Sequence, residues 1–289
     1  MRRSIIFLGM LTAIIVVCIT NNTNQLLLLP LTTPEVFLSS MPYVSLTLFN
    51  HQYILIQPSS TILVYSLGLI MICFGIFFIL ARKQQASREN WGIGLIIWGI
   101  SAIVAGTSYQ AFGYELKCNQ REFCLFTSNF ELVYMLLTAY AINFLVAATG
   151  YTSLAPAGRK KLIQFAIIDS ILYSVYMLIG AIIPVKFLVS YEGFMAFIGV
   201  NFIIMFILNI RHCQKFRDAL NHNLIMVWIG FLLVNIGYFV FLFGGFGAQL
   251  YQSQGIWFNE NDVLHILLIL WTVMLFLLLR TRLMDTAER

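Results

Sequence analysis

The chain alternates between long apolar stretches and short polar breaks. A membrane helix requires about 20 mostly apolar residues to cross the hydrocarbon core, and the pattern predicts eight helical segments near that length. They are residues 4–20, 61–81, 91–112, 131–151, 162–184, 187–210, 221–243 and 262–280. The last seven are long enough to span. The first follows Met1-Arg2-Arg3 and is typical of either a signal peptide or a short N-terminal anchor.

Composition supports the same interpretation, because 60% of the residues are hydrophobic and only 10% are charged. We therefore expect an all-α, polytopic membrane helix bundle. Of the 17 Lys and Arg residues, all but Lys117, Arg121 and Lys186 fall on the side of residues 1–3. Since cytoplasmic loops are enriched in basic residues, this predicts a cytoplasmic C-terminus, in the plasma (inner) membrane if the protein is bacterial. The net charge of +5 is thus a topology signal and does not indicate a nucleic-acid partner.

Three regions follow from this division of the chain. Residues 1–20 form the signal peptide or anchor, residues 21–60 an extracytoplasmic segment, and residues 61–289 a seven-transmembrane domain. The segment "VSLTLFNHQYILIQ" alternates polar and apolar residues on both sides of Asn50-His51, which predicts a small outer β-hairpin. A partly ordered linker is the alternative. Cys118 and Cys124 share one outer loop, and an oxidising compartment would allow a disulfide between them.

Polar residues inside apolar segments are the first functional candidates, because burying them in hydrocarbon is costly unless they are paired. Asp169 is the only charged residue well inside a predicted span. Asn143 and Asn201 lie at comparable depths on neighbouring segments. We expect an intramembrane polar network of these three residues. A proton or ion pathway through Asp169, as in a small transporter, is the functional alternative.

A second set of polar residues gathers at the outer ends of the helices. Tyr109 and Gln110 end one segment, Glu192 begins another, and "FNENDVLH" opens the last. In that last segment Asn261 and Asp262 precede His265 by four and three residues, so both share a helical face with the imidazole. The alternative is a purely structural role, helix capping by Asn259 or Asn261 together with Glu260 and Asp262. Capping does not account for His265.

The stretches "GTSYQAFG" and "FNENDVLH" resemble the CREST superfamily of seven-helix membrane proteins, which includes alkaline ceramidases and adiponectin receptors. They are most similar to an uncharacterised bacterial branch of that superfamily. The resemblance implies a zinc ion held by one His of an early helix and two of the last. By position, those ligands fall on Gln110, Asn261 and His265, with Gly106 in place of the motif's Ser. Gln and Asn are poor zinc ligands, so zinc is possible in the family but no metal ligand is assigned in this chain. A site built from His51, His265, Asp262 and Glu192 is a further alternative.

These patterns favour a protein that binds a lipid or small amphiphile in an outward-facing pocket of a CREST-like bundle. Tyr109, Gln110, Glu192, Asn261 and His265 would contact the ligand. The rival hypothesis is a ceramidase-like amidase or esterase in which Asp262 orients His265 as the catalytic base. We expect membrane lipids as partners, and the sequence leaves the oligomeric state open.

Overall fold

The computed structural model describes residues 2–48 and 50–286, with side chains at 6–47 and 50–286. Residues 287–289, the end of the predicted cytoplasmic terminus, lie outside the described residues. The chain is 77% helical, with one two-stranded sheet. In the described ranges the elements are α1 (Arg2–Ile19), α2 (Pro34–Ser39), β1 (Tyr43–Leu48), β2 (His51–Ile56), α3 (Pro58–Leu80), α4 (Ala86–Gly106), α5 (Gly113–Lys117), α6 (Asn129–Ser153), α7 (Pro156–Ile182), α8 (Tyr191–Phe216), α9 (Ala219–Gly244), α10 (Phe246–Gln254) and α11 (Glu260–Leu279).

Seven of these helices, α3, α4, α6, α7, α8, α9 and α11, are long and apolar enough to cross a membrane. This confirms the all-α bundle expected from the hydrophobic pattern. Three of the spans, α6, α9 and α11, begin about two residues before the predicted segments, because polar residues cap them. Ser128, Asp218 and Asn259 accept hydrogen bonds from backbone N–H groups in the first turns of α6, α9 and α11. The polar caps extend these three helices past their hydrophobic segments.

One local boundary differs from the expectation. We expected a span beginning at residue 187, but residues Lys186–Val189 form a 3₁₀ turn, and α8 begins only after its N-cap, Ser190. The proline-rich outer segment also contains a short helix, α2. Pro34 occupies its first turn, where the missing N–H costs nothing, and Thr33 caps it. Pro34 therefore starts a helix within the outer segment.

The central helix is α6. Its most apolar stretch is 83% buried, compared with 22–50% for the other six spans. We call the end of the bundle formed by residues 81–87, 153–156, 216–219 and 280–286 the basic end, since most Lys and Arg lie near it. The opposite end carries the two-stranded sheet and is called the hairpin end. Every candidate site residue except Asp169, Asn143 and Asn201 belongs to the hairpin end.

Glycines set the distance between α3 and α4. A Cβ atom on Gly75 would lie 2.6 Å from the Gly92 carbonyl oxygen, and one on Gly92 would lie 2.8 Å from the Gly75 oxygen. Gly68 and Gly99 repeat the arrangement two turns away. Small residues at this seven-residue spacing let the two backbones touch, as in other tightly packed membrane helices. The close packing therefore fixes the position of the polar residues at the C-terminal end of α4.

The hairpin end is held together by several tertiary contacts. β1 and β2 pair antiparallel with Leu48 opposite His51, and Asn50 takes a left-handed conformation in the turn (φ 65°). The Glu115 carboxylate accepts a hydrogen bond from the Ile54 backbone N–H at 2.9 Å, which fixes the hairpin to α5. Cys118 and Cys124 are joined by a disulfide bond. The hairpin is thus a docked part of the bundle.

Candidate functional sites

The early polar stretch lies in a π-helical turn, Thr107–Ala111, which continues α4. The Phe112 N–H donates to the Thr107 carbonyl at 2.8 Å, five residues back, and this wide turn carries Tyr109 and Gln110. π-turns inside helices occur frequently at functional sites. Gly106, at the position of the superfamily's Ser, has no room for a side chain, because a Cβ atom would overlap Val64. The turn therefore presents its polar groups at 107–110 only.

A buried ion pair that the sequence did not reveal lies beside this turn. The Lys117 ammonium is 2.9 Å from Oε1 of Glu131, and their side chains are only 12% and 3% exposed. The Ser108 hydroxyl donates to the same Glu131 oxygen at 2.8 Å and lies 2.7 Å from the Ser128 hydroxyl. The ammonium also lies 5.2 Å from the centre of the Tyr109 ring. Tyr109, a predicted ligand contact, thus belongs to a compact polar cluster.

The ion pair escaped the sequence analysis for a physical reason. Glu131 stands in the first turn of α6, where an acidic residue is normally explained by the helix dipole. Lys117 is the last residue of α5, in the connection between α4 and α6. Only the disulfide-closed segment 118–124 and the fold of α5 bring the two together. The sequence gives one hint: Lys117 is one of only three basic residues predicted to lie on the outer side of the membrane.

The start of α11 is a capping box. The Asn259 side chain accepts hydrogen bonds from the Asn261 and Asp262 N–H groups at 3.0 and 3.1 Å, while Asp262 Oδ2 accepts from the Asn259 N–H at 2.9 Å. Capping therefore explains Asn259 and Asp262, as the alternative interpretation held. The Asp262 carboxylate is 1% exposed, and its Oδ1 has no hydrogen-bond partner among the described residues.

His265 faces the bundle interior one turn further along α11. It is 8% exposed and lies on the same buried face as Thr272 and Leu275. Its Nδ1 has no hydrogen-bond partner within the described part of the chain. Asp262 Oδ1 and His265 Nδ1 are not hydrogen-bonded to each other. Asp262 therefore does not orient the His265 ring in this structure. The pairing required by the hydrolase hypothesis is not formed.

Glu192 lies exposed in the first turn of α8, next to a set of phenol side chains. Tyr191 and Tyr238 are within electrostatic range of Glu192 and of each other, and Tyr238 is also within range of Glu260 on α11. Tyr191 and Phe194 then connect this group to Tyr134 on α6. Tyr238 is thus within electrostatic range of acidic residues in the first turns of both α8 and α11.

Gln110, Glu192 and His265 make no hydrogen bond with one another among residues 2–48 and 50–286. Residues 2–48 and 50–286 also contain no group of three or more His, Cys, Asp or Glu side chains placed to hold a metal ion. The described residues therefore do not bring His51, His265, Asp262 and Glu192 together in such a group, and His51 lies exposed at the start of β2. The positions carried over from the superfamily, Gln110, Asn261 and His265, supply one imidazole and two amides, which do not fit zinc.

The intramembrane residues do form one network. Asp169 Oδ2 accepts hydrogen bonds from the side-chain amides of Asn143 and Asn201, both at 2.9 Å, and thereby joins α7 to α6 and α8. Asn143 and Asn201 are buried, and Asp169 is half-buried. Two amide donors directed at one carboxylate oxygen are the arrangement that stabilises a buried carboxylate. The geometry agrees with the expected three-residue network.

Beside this network, α1, α6 and α7 border an open-sided cavity of about 560 Å³, here called the lateral cavity. Its walls are mainly apolar, and α1 contributes Gly9 and Ala13. The polar groups on its surface include Tyr140, Asn143, Ser170 and Ser174. Tyr140 and Ser174 are hydrogen-bonded to each other at 2.7 Å, and Asn143 donates to Asp169. The volume lies in the range of small-molecule pockets, roughly 300–1,000 Å³.

The seven apolar helices identify the chain as a multi-pass membrane protein. Comparison with family models, curated proteins and solved structures gave no match. The likeness to the CREST superfamily therefore rests on the two short stretches described above.

Proposed function

We propose that this membrane protein binds a lipid or another small amphiphile in the lateral cavity. The observation that carries the proposal is the cavity itself: about 560 Å³ of mainly apolar space between three helices, bordered by a few polar groups. Pockets for small ligands have this character, with apolar walls for affinity and few polar groups for orientation. An acyl chain would lie against α1 and α7, and its polar group would approach Asn143.

The proposal moves the ligand from the place expected from the sequence. The hairpin-end residues Tyr109 and Gln110 lie in or near the buried cluster around Glu131, and Asp262 is engaged in capping. The lateral cavity offers walls on three sides and a hydrogen-bonding group, Asn143, whose amide is already oriented by Asp169. These contacts support amphiphile binding more strongly than hydrolysis at His265.

The cavity depends on α1, so in this proposal α1 is retained as an anchor. Several contacts support its place against the bundle. The Phe7 and Phe144 rings lie 6.1 Å apart, Val17 is 1% exposed, and the Asn22 N–H donates to the Ala181 carbonyl at 2.8 Å. Removing residues 1–20 would delete one wall of the cavity. The protein's mature N-terminus, read by mass spectrometry, is therefore an independent check.

The test uses a palmitic acid analogue with a photoreactive diazirine, applied to the full chain in lipid nanodiscs. We expect cross-links on peptides of α6 and α7 that unlabelled palmitic acid competes away. Gly9 lines the cavity, and a Cβ there meets nothing within 4 Å, so Gly9→Phe can fill the space without displacing backbone. It should lower the cross-link yield at least about tenfold.

Gly199→Phe on α8 is the matched control. A Cβ at Gly199 also meets nothing within 4 Å, and the residue is not part of the lateral cavity. The control should cross-link like the wild type. Equal yields from Gly9→Phe and wild type, or labelling that palmitic acid does not compete, would refute binding in the lateral cavity.

A further inference from the structure

A second cavity lies at the basic end, where the turn between α8 and α9 meets the end of α11. It measures about 490 Å³ and is here called the basic cavity. Its lining residues include two arginines, Arg217 and Arg282, and one histidine, His222. It is far along the chain from the lateral cavity and shares no lining residue with it. Whatever binds here is independent of the proposed amphiphile site.

The local backbone places the arginines. Arg217 ends α8 in a left-handed conformation (φ 52°), with its N–H donating to the Cys213 carbonyl at 2.7 Å. Asp218 follows at once as the N-cap of α9. The Asn223 side chain donates to the Leu278 carbonyl at 2.8 Å and ties α9 to the end of α11, close to Arg282. The cavity is therefore fixed by tertiary contacts on both sides.

The charges in the basic cavity do not cancel. Asp218 is its one carboxylate, and that group is occupied: it lies 3.2 Å from Nε2 of His212 and accepts hydrogen bonds from the Asn221 N–H and side-chain amide. Within the described ranges 2–48 and 50–286, neither Arg217 nor Arg282 forms an ion pair. The lining thus holds two guanidinium groups and one carboxylate, and that carboxylate is already bonded to His212 and Asn221.

We propose that the basic cavity binds a phosphate-bearing anion, with Arg217 and Arg282 as its principal contacts. The planar guanidinium group matches phosphate with two parallel hydrogen bonds. The cavity lies at an end of the membrane helices, the depth at which phospholipid phosphates occur. Basic pockets between membrane helices bind anionic headgroups for this reason. A phospholipid headgroup and a soluble phosphate share this chemistry.

The test measures thermal unfolding of the detergent-purified full chain during titration with phosphatidylglycerol, phosphatidylcholine or inorganic phosphate. Arg217→Asn combined with Arg282→Gln removes both charges, and Asn tolerates the left-handed backbone at 217. The double variant should need at least about tenfold more anion for half of the wild-type thermal shift. Each single variant is measured too, so that Arg282→Gln still reports if position 217 proves important for folding.

Lys160→Gln with Lys161→Gln is the matched control, because it removes two exposed charges from the same end, outside the cavity. It should respond like the wild type. An arginine-dependent response to phosphatidylglycerol alone assigns the site to a lipid headgroup, and an equal response to inorganic phosphate assigns it to a soluble ligand. No response to either anion in the wild type, or an equal loss in the lysine control, would overturn the proposal.

Discussion

The carboxylate of Asp285 accepts a hydrogen bond from the backbone N–H of Ser87 at 2.9 Å. Its other oxygen accepts from Ala86 at 3.0 Å, so a residue near the end of the chain caps the N-terminus of α4. The Arg88 guanidinium donates to the Leu283 carbonyl, and the Thr286 hydroxyl donates to the carbonyls of Tyr151 and Leu154. The C-terminal segment therefore joins α4, α6 and α11 at the basic end.

Asp285→Ala should lower the free energy of unfolding by about 1 kcal/mol, the usual cost of losing a helix cap. Asp285→Asn retains a side-chain oxygen that can accept the same hydrogen bonds, so its loss should be smaller. Thermal unfolding of both variants in the same detergent measures the difference. If Asp285→Ala unfolds at the wild-type temperature, the contact does not stabilise α4.

The Lys117–Glu131 pair should be far more important for stability than an ion pair at the surface. Glu131→Gln leaves a nearly buried ammonium without its counter-charge, which costs about 3–5 kcal/mol. The double variant Lys117→Met, Glu131→Gln should lose less than Glu131→Gln alone, because no unpaired charge remains. Denaturant unfolding of the single and double variants measures their coupling.

The pair Arg82–Glu89, at 3.6 Å with the Arg82 side chain 56% exposed, provides the control for this measurement. Arg82→Gln should change stability by only about 0–1 kcal/mol, since solvent screens exposed charges. Similar losses in Arg82→Gln and Glu131→Gln would show that burial does not strengthen the Lys117–Glu131 interaction.

The contact between α3 and α4 predicts that even a methyl group is harmful there. Gly75→Ala and Gly92→Ala should each destabilise the protein by about 1–3 kcal/mol, because the added Cβ meets backbone that cannot move aside. Gly199→Ala, in open space on α8, should cost nothing from packing. Unfolding temperatures of the three variants test this, and equal temperatures would contradict the close approach.

The seven spans were predictable because each requires a long apolar stretch, and the stretches are separated by caps and basic residues that are themselves visible in the sequence. The expected association of Asp169 with Asn143 and Asn201 followed from depth alone, since few polar residues share that level of the bundle. The depth of a residue in the membrane can be counted along its helix from the sequence.

The sites could not be predicted in the same way, because they depend on which helix faces pack against one another. Glu131 and Lys117 are brought together by a loop whose path the sequence does not specify. The lateral cavity requires α1 to lie against α6 and α7, and apolar surfaces such as these give no periodic signal in a membrane. Gln110, Glu192 and His265 were expected at one depth, yet among the described residues they make no hydrogen bond with one another.

His265 is the clearest case, and it supplies the last prediction. The imidazole is 8% exposed, and among the described residues its buried Nδ1 has no hydrogen-bond partner. Replacing such a group by an apolar side chain of similar size is close to neutral or stabilising. His265→Leu should therefore leave the unfolding temperature unchanged or raise it, whereas Asp262→Ala should cost about 1 kcal/mol through loss of the capping box. A clear loss of stability in His265→Leu would instead reveal a partner for the imidazole and revive the hairpin-end site.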